Sequence, residues 1–279
     1  MDIVIAIALL GGLGLGFGLI LAAASKVFYV ETDPRLDALN ECLPGANCGG
    51  CGYAGCGAYA EAVLNGEAPI GACASGGNEC AQKMAAIMGV KAEAVTRKVA
   101  LVRCSGAREY DSDGNLVKGV KIKADYEGFH DCLAASKVGG SGPLSCKFGC
   151  LGYGSCTRAC KYGAIKVVNG VAVVDENLCV GCMACAAACP RQLIVPVEPD
   201  RNVVIACNSM AKGAVTNRAC TVGCIGCSKC AKVCPEGAIT ITNNLAVIDY
   251  SKCKNCGDCA KVCPKGLIKD SNVENLPEI

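Results

Sequence analysis

Cysteine is the residue that gives this chain its chemistry. The sequence has 279 residues, of which 26 are cysteine and one is histidine. Three stretches follow the pattern C-x2-C-x2-C-x3-C-P, at residues 179–190, 224–235 and 253–264. In this pattern three closely spaced thiolates hold one iron–sulfur cube and the fourth reaches a neighbouring cube. The spacing therefore predicts [4Fe–4S] clusters that are held in pairs.

These runs lie in a tandem repeat with an offset of 74 residues. Residues 146–190 and 220–264 align without a gap and are identical at 19 of 45 positions. Each copy has the spacing of a two-cluster bacterial ferredoxin module. For the second copy, crossed ligation predicts Cys224, Cys227, Cys230 and Cys263 as one ligand set, and Cys234, Cys253, Cys256 and Cys259 as the other.

The first copy departs from this pattern at two positions. Tyr153 stands where the second copy has Cys227, and Lys161 stands where it has Pro235. Because Cys146 lies just upstream, we expect it to replace the missing ligand; a three-iron cluster or an altered potential is the alternative. The predicted ligands are Cys146, Cys150, Cys156 and Cys189 for the variant cluster, and Cys160, Cys179, Cys182 and Cys185 for its companion.

A further cysteine quartet with the spacing C-x2-C-x4-C-x16-C lies in the N-terminal half. Its members are Cys48, Cys51, Cys56 and Cys73. The residues between them include four glycines, which are Gly49, Gly50, Gly52 and Gly55. Such glycines allow tight turns and expose backbone N–H groups, which anionic sulfur accepts as donors. A zinc site is the rival interpretation, but zinc sites usually pair two C-x2-C knuckles, so we expect a fifth [4Fe–4S] cluster here.

Five clusters use 20 of the cysteines and leave six without an assigned ligand role. The six are Cys42, Cys80, Cys104, Cys132, Cys207 and Cys220. A sixth cluster on Cys104, Cys132, Cys207 and Cys220 is compatible with this remainder. Spacing alone does not require it, because these cysteines are far apart in sequence.

Residues 3–24 form an uninterrupted run of apolar residues and glycine. A helix of that length spans the roughly 30 Å hydrocarbon layer of a membrane. A cleaved signal peptide is the alternative, but no lysine or arginine precedes the run. Lys26 and Arg35 follow it, which predicts that the rest of the chain lies on the cytoplasmic side. Glycines at four-residue spacing within the run favour close contact with another membrane helix.

These patterns together predict an α+β chain with three kinds of unit. They are one N-terminal transmembrane helix, a small α-rich [4Fe–4S] domain and two tandem two-cluster bacterial ferredoxin-like modules. The expected boundaries are 1–29 for the anchor, 30–92 for the one-cluster domain, 93–140 for a connecting region, 141–196 for the first module, 197–219 for a linker and 220–279 for the second module.

Several classes of activity have no support in the sequence. It contains no G-x-x-x-x-G-K-[ST] loop for nucleotides, and its basic residues lack the interleaved aromatics of a nucleic-acid surface. His130 beside Asp131 resembles an acid–base pair, but a lone histidine near a loop is more often structural or solvated. We therefore expect no catalytic residues and no bond chemistry in the isolated chain.

The charge distribution of the C-terminal half has two possible explanations. The formal net charge of the chain is +2, and each bound cluster with its four thiolates adds about −2. Residues 141–279 nevertheless hold 15 Lys and Arg against 10 Asp and Glu. This excess either steers an acidic redox partner or balances the charge of the clusters.

The order of these units resembles a known family. The segment LPGANCGGCGYAGC at residues 43–56, preceded by the glycine-rich span and followed by two double-cluster modules, resembles the B subunit of the Rnf complex, a membrane-bound ferredoxin:NAD+ oxidoreductase that translocates Na+ or H+. The resemblance implies that reduced soluble ferredoxin donates electrons to this chain. It further implies relay to flavin-bearing membrane subunits and to an NADH-binding subunit, at a bacterial cell membrane.

Three other interpretations stay open at this point. One is a related reducing system for an oxidative-stress regulator, although the extra ferredoxin module weighs against it. Another is the iron–sulfur wire of a membrane hydrogenase or formate enzyme, which the segment at residues 43–56 disfavours. The third is a membrane-tethered zinc scaffold, which would contain zinc and no iron.

Overall fold

The computed structural model describes residues 2–27, 33–91 and 95–270, and for residues 2–9 it describes only the backbone. Helix α1 (Asp2–Val27) is the first element. The side chains of the predicted membrane span, residues 3–24, are thus described only from residue 10 onwards. The last residues of the predicted second module, 271–279, lie outside the described residues. Among the residues that are described, no helix has both the length and the apolar composition needed to cross a membrane.

Residues 33–91 form an α-rich domain with a small apolar core. Its helices are α2 (Pro34–Cys42), α3 (Cys56–Leu64) and α4 (Gly77–Met88). Helix α2 begins after Asp33, whose side chain accepts a hydrogen bond from the Arg35 N–H at 2.9 Å. The fully buried side chains of Leu39, Tyr59 and Met84 pack the three helices together. Each large buried side chain of this kind contributes about 1.5–3 kcal/mol.

The segment that follows contains four short elements. They are β1 (Val99–Val102), β2 (Glu109–Tyr110), β3 (Leu116–Lys118) and α5 (Cys132–Ser136). Strands β2 and β3 pair as a hairpin, and the Asp111 side chain holds its turn by accepting the N–H groups of Asp113 and Asn115.

The first repeat folds as a small module around a hairpin. Its elements are α6 (Ser155–Ala159), β4 (Ile165–Val168), β5 (Val171–Val174), α7 (Ala184–Ala187) and β6 (Ile194–Val197). β4 pairs with β5, and β6 pairs antiparallel with β1, which places Val99 opposite Val197. The predicted connecting region, 93–140, therefore contributes a strand to this module.

The second repeat has the same arrangement. Its elements are β7 (Val203–Ile205), α8 (Gly213–Ala219), α9 (Lys229–Val233), β8 (Ile239–Thr242), β9 (Leu245–Ile248), α10 (Asp258–Lys261) and β10 (Ile268–Asp270). β8 pairs with β9, and β10 pairs antiparallel with β7, which lies in the predicted linker 197–219. The mixed α+β class with ferredoxin-like modules is thus confirmed, and each module takes its first strand from upstream of the repeat.

A short bridge of backbone joins the two modules. Residues 119–121 lie antiparallel to residues 219–221. The bridge is closed by the Lys121 N–H to the Ala219 carbonyl and the Thr221 N–H to the Gly119 carbonyl, at 3.0 Å each. The buried side chains of Val120, Leu144 and Val222 pack beside it in a small core of their own. The modules therefore meet through backbone hydrogen bonds and apolar contact.

Tyr59 ties the core of the α-rich domain to the loop that carries Cys73. Its hydroxyl donates to the Pro69 carbonyl at 2.9 Å and accepts the Ala72 N–H at 3.2 Å. We expect Tyr59→Phe to destabilise the domain by about 1–3 kcal/mol, because it leaves the Ala72 N–H without its partner. Thermal unfolding measures this, with the exposed Tyr110→Phe as the control. Equal melting temperatures for both variants would contradict the assignment.

Candidate metal centres

The N-terminal quartet surrounds one cavity in the α-rich domain. Cys48 and Cys51 lie in the glycine-rich loop before α3, Cys56 begins that helix, and Cys73 lies in the loop before α4. Asn47 closes the loop, because its side-chain oxygen accepts the Cys56 N–H at 2.8 Å. We call this group site 1. The structure brings together all four cysteines that the spacing selected.

The thiols of site 1 have different surroundings. Burial raises the pKa of the Cys48 thiol, but hydrogen bonds with Ser75 and with the Gly50 N–H outweigh it and leave that pKa below its usual value. Burial raises the pKa of the Cys73 thiol, whose sulfur accepts the Gly76 N–H at 3.3 Å. N–H donors of this kind stabilise the thiolate, which is the form that binds metal.

Two cavities in the second module are each lined by one of the predicted ligand sets. Site 5 consists of Cys224, Cys227, Cys230 and Cys263, and site 6 consists of Cys234, Cys253, Cys256 and Cys259. In each set one C-x2-C-x2-C loop supplies three cysteines and the other run supplies the fourth. At site 6 the Cys234 sulfur accepts the Ala238 N–H at 3.3 Å, and the Cys253 sulfur accepts the Asn255 N–H at 3.5 Å.

A third predicted set, which we call site 2, comes together in the first module. Its members are Cys160, Cys179, Cys182 and Cys185. Burial raises the pKa of the Cys185 thiol to about 11, and the other three cysteines of the set act in the same direction. The Cys179 sulfur accepts the Ala100 N–H at 3.4 Å, so the strand β1 also contributes to this site.

The fourth predicted set differs from the group that the structure forms. Cys150, Cys156 and Cys189 line one cavity as expected, but their fourth neighbour is Cys132 and not Cys146. We call this group site 3. The pKa of the Cys156 thiol is raised to about 12, mainly by burial and then by the neighbouring Cys150 and Cys132. The structure thus places Cys132 beside these three cysteines, whereas Cys146, the replacement expected from the sequence, lines a different cavity.

A capping network explains why Cys132 reaches site 3. The Asp131 side chain caps α5 by accepting the N–H groups of its first turn. The Ser155 hydroxyl donates to Asp131 at 2.7 Å, and this hydrogen bond is the largest of those that lower the pKa of Asp131 to about 2. The same hydroxyl accepts the Cys132 N–H at 2.9 Å, and Arg158 donates to Asp131 at 2.8 Å. Cys132 is thereby fixed beside α6, which carries Cys156.

Tyr153, at the position of the missing cysteine, packs on the segment that supplies the new one. Its ring lies 5.2 Å from the Tyr126 ring and 5.4 Å from the His130 ring, measured between centroids. His130 therefore has a packing role beside Cys132. Tyr153 therefore packs on the segment that directly precedes Cys132.

Four further cysteines line another cavity, between the modules, which we call site 4. They are Cys104, Cys146, Cys207 and Cys220. The sequence allows a sixth set of Cys104, Cys132, Cys207 and Cys220. The structure has Cys146 in this group where that set has Cys132. The alignment of the two repeats contained a signal for this group, because it places Cys146 and Cys220 at equivalent positions, and both line the same cavity.

Two cysteines, Cys42 and Cys80, belong to none of the six groups. Cys80 is buried in the α-rich domain, and its thiol donates to the Met84 sulfur at 3.7 Å. Burial, and then the neighbouring Cys73 and Cys42, raise the pKa of the Cys80 thiol to about 11. Cys80 therefore packs as a small apolar side chain in the core of the domain.

Site 1 lies directly against site 2. The Cys48 and Cys182 thiols are within hydrogen-bonding reach of each other. Lys161 donates from its Nζ to the carbonyls of Ala46 and Asn47, at 2.7 and 2.9 Å. The residue that replaces proline in the first module thus fastens the cysteine loop of the neighbouring domain.

Cysteines of other neighbouring sites also lie near each other. Cys185 of site 2 lies near Cys156 of site 3. At the far end, Cys230 of site 5 lies near Cys259 of site 6. Sites 1 and 2, sites 2 and 3, and sites 5 and 6 are therefore neighbours in the fold.

The donor set and its spacing fit iron–sulfur cubes. The cavities of sites 1, 3, 4, 5 and 6 are each lined by four cysteines. Each of the four irons of a cube takes its own thiolate, so the four sulfurs stand around a cavity and do not converge on one point. Within the described residues, no three or more His, Cys, Asp or Glu side chains are grouped for a single metal ion.

Three family models match parts of the chain. An Fe–S cluster model matches residues 43–75, a 4Fe-4S binding domain matches residues 171–194, and a 4Fe-4S dicluster domain matches residues 223–267. These ranges contain all of site 1, three cysteines of site 2, one cysteine of site 3 and all of sites 5 and 6. The fold and the matched models define the class of protein: it is an iron–sulfur electron-transfer protein.

Curated relatives match over most of the chain, and each is the B subunit of an ion-translocating oxidoreductase complex. That of the Na(+)-translocating ferredoxin:NAD(+) oxidoreductase complex of Acetobacterium woodii is 43% identical over 90% of this chain and 73% of its own length. That of the proton-translocating ferredoxin:NAD(+) oxidoreductase complex of Clostridium ljungdahlii is 42% identical over 86% and 82%. That of the ion-translocating oxidoreductase complex of Methanosarcina acetivorans is 40% identical over 88% and 90%. The chain belongs to this family, and it is an iron–sulfur electron-transfer subunit of an oxidoreductase complex.

Replacing Cys132 tests the composition of site 3. We expect Cys132→Ala to remove up to about four irons per chain, because a cube lacks one of its four thiolates. Iron analysis and EPR of the reduced protein measure the loss. Leu133→Ala, at the exposed neighbouring position of α5, is the matched control and should keep its full iron content. Unchanged iron and EPR in Cys132→Ala would contradict the assignment.

Gly50 sets the distance between sites 1 and 2. A β-carbon at this position would lie 2.5 Å from the Cys182 carbonyl oxygen, so alanine forces the two loops apart. We expect Gly50→Ala to keep its clusters but to weaken their magnetic coupling across this contact, because the coupling falls with distance. EPR line shapes of the reduced protein report it.

The control for this variant is Gly57→Ala. It lies on an exposed face of α3, where a β-carbon comes no closer than 3.8 Å to another residue. It should leave the EPR line shapes as they are. Identical spectra for Gly50→Ala and Gly57→Ala, at equal iron content, would show that the contact at Gly50 does not set the coupling.

Proposed function

We propose that this chain accepts electrons from reduced ferredoxin and relays them through [4Fe–4S] clusters to other subunits of a membrane-bound, Na+- or H+-translocating complex. The observation that supports it most is the succession of four-cysteine groups: site 1 lies within hydrogen-bonding reach of site 2, and cysteines of sites 2 and 3 and of sites 5 and 6 lie close enough to influence each other electrostatically. A [4Fe–4S] cluster, when bound, supplies reversible electron transfer at low potential. The cysteines of the chain hold such groups close together and exclude water around them.

The proposed ligands follow the groups formed in the fold. Five sets carry the proposal, and only one member differs from the sequence prediction. The sets are Cys48, Cys51, Cys56 and Cys73; Cys160, Cys179, Cys182 and Cys185; Cys132, Cys150, Cys156 and Cys189; Cys224, Cys227, Cys230 and Cys263; and Cys234, Cys253, Cys256 and Cys259.

Ferredoxin would donate at the second module. Among the described cysteines, only Cys227 of site 5 and Cys256 of site 6 are exposed. Residues 220–270 contain seven lysines, no arginine and four acidic residues, so this module carries a positive excess before clusters are counted. An acidic redox protein would be attracted to this face, and an exposed ligand edge shortens the path for the electron.

The other end of the chain would lie at the membrane. The apolar side chains of α1 from Leu10 to Leu21 are exposed, with Leu10 and Leu15 72% accessible, and the adjoining run at residues 3–9 is apolar in sequence. We propose that residues 1–29 anchor the chain by a single helix at a bacterial inner membrane, with the cluster-binding units on the cytoplasmic side. Site 1, in the domain that follows α1, would deliver electrons to the integral-membrane and flavin- or NAD-binding subunits.

The domain organisation that accompanies this proposal uses the strands of the fold. The one-cluster domain would cover residues 30–92, the first module would extend back to include β1, and the second would extend back to include β7. The β1–β6 and β7–β10 pairings support these wider boundaries.

Mixing the reduced donor with the purified chain tests the donor role. A stoichiometric amount of reduced ferredoxin should bleach the visible absorbance of the anaerobically purified, full-length protein within seconds. A protein that dithionite reduces but ferredoxin does not would overturn the donor assignment. A protein with no reducible clusters would overturn the relay as well.

The basic face of the second module should set the rate of that reaction. Lys252 and Lys254 flank Cys253, so we expect the double variant Lys252→Gln and Lys254→Gln to slow reduction by ferredoxin about three- to tenfold at low salt. The difference should disappear at high salt, where charges are screened. Lys166→Gln, on the first module, is the control for loss of a positive charge elsewhere. An equal effect of both changes would contradict docking at the second module.

A further inference from the structure

The cavity of site 4 lies where the two modules meet. Each module supplies two of its four cysteines: Cys104 and Cys146 come from the first, and Cys207 and Cys220 come from the second. The Cys220 backbone belongs to the bridge opposite Val120. The cavity is thus built by the association of the modules and does not exist within either one.

The two pairs of cysteines occupy equivalent places. Cys104 follows β1 and Cys207 follows β7, each two residues beyond a strand that pairs with the last strand of its module. Cys146 and Cys220 open the two aligned repeats. Site 4 therefore has an approximate two-fold relation, in which each module presents the same two positions to the other.

The hydrogen bonds to sulfur obey the same relation. In each module, the sulfur of one cysteine (Cys104 or Cys207) accepts two backbone N–H groups. One N–H belongs to the residue two positions later, and the other belongs to the second cysteine of the repeat. The bonds run from Gly106 and Cys150 to Cys104, at 3.4 Å each, and from Ser209 and Cys224 to Cys207, at 3.5 and 3.3 Å. Donors aimed in this way at two equivalent sulfurs suit anionic thiolate ligands.

The remaining lining of the cavity agrees with an anionic group. It contains no Asp, Glu or His, and its one charged residue is Arg103. The Arg191 guanidinium donates to the Cys146 carbonyl at 3.1 Å. A cube with four thiolates carries about −2, which the Arg191 guanidinium near Cys146 and Cys104 helps to balance.

We infer that Cys104, Cys146, Cys207 and Cys220 bind a sixth [4Fe–4S] cluster, which joins the two modules. The Cys104 sulfur accepts the N–H of Cys150, a residue of site 3, and the Cys207 sulfur accepts the N–H of Cys224, a residue of site 5. Site 4 therefore stands between sites 3 and 5. With it, the six groups form a single file in the order from site 1 to site 6.

The position of site 4 gives it a function as the link of the relay. An electron that arrives from site 5 leaves towards site 3, so the site returns to its starting state with no net chemistry. This role rests on the proposed function, whereas binding of the cluster does not. The two are therefore tested by different measurements.

Iron and acid-labile sulfide in the anaerobically purified full-length chain test the binding. Six clusters require about 24 irons and as many sulfides per chain, and five require about 20. We expect about 24 with no zinc. A value of about 20, with or without one zinc, would overturn the inference.

Variants then assign the additional cluster to site 4. Cys207→Ala should lose about four irons relative to the unaltered chain, and Cys207→Ser, which conserves the side-chain volume, tests whether a loss reflects the missing ligand or a disrupted junction. Cys42→Ala and Cys80→Ala are the controls, since both cysteines lie outside the six groups, and they should keep all their iron. EPR of the reduced protein should retain the signals of sites 5 and 6 in both Cys207 variants. Full iron content in both Cys207 variants would overturn the assignment.

The electron link has a separate readout. In Cys207→Ala, ferredoxin should still reduce sites 5 and 6 rapidly, while reduction of sites 1 to 3 slows at least tenfold. If ferredoxin reduced none of the sites, ferredoxin would not be the donor. The iron count would still test whether site 4 binds a cluster. Equally rapid reduction of all remaining sites would overturn the role of site 4 as the link.

Discussion

The structure depends on one requirement: four cysteine sulfurs must stand around each cavity at the spacing of an iron–sulfur cube, with N–H donors directed at them. Tight loops meet this requirement locally, because C-x2-C-x2-C places three sulfurs on one turn of backbone. The fourth sulfur always comes from elsewhere. The position of that fourth cysteine decides which segments must pack together, and so the cluster sites, more than the small apolar cores, determine the tertiary fold.

The proposed relay adds a further requirement, which is that successive sites lie close together. An electron crosses between redox groups only when they are close, so a relay needs contact at every step. The contacts at Cys48 and Cys182, at Cys104 and Cys150, and at Cys207 and Cys224 supply it. Two residues that depart from the ferredoxin pattern help to position these sites. Lys161 fastens site 1 to site 2, and Tyr153 packs on the segment that brings Cys132 into site 3.

The sequence was sufficient for the parts of the fold that local spacing determines. The sets at sites 1, 2, 5 and 6 came together as predicted, because in each of them short loops and crossed runs define the partners. Cys132 and Cys146 could not be assigned in this way. Cys132 reaches site 3 through side-chain hydrogen bonds of Asp131 and Ser155, which no spacing reveals. Similarly, β1 pairs with a strand about 95 residues away and β7 with a strand about 65 residues away, outside the repeat that the alignment defined.

The most direct test of a six-cluster file is an anomalous-scattering map, collected at the iron absorption edge, of the anaerobically crystallised holoprotein. We predict six cube-sized peaks in one file, with the fourth between the modules and Cys132 as a ligand of the third. A map with no iron between the modules, or with Cys146 bound at the third peak, would contradict this arrangement.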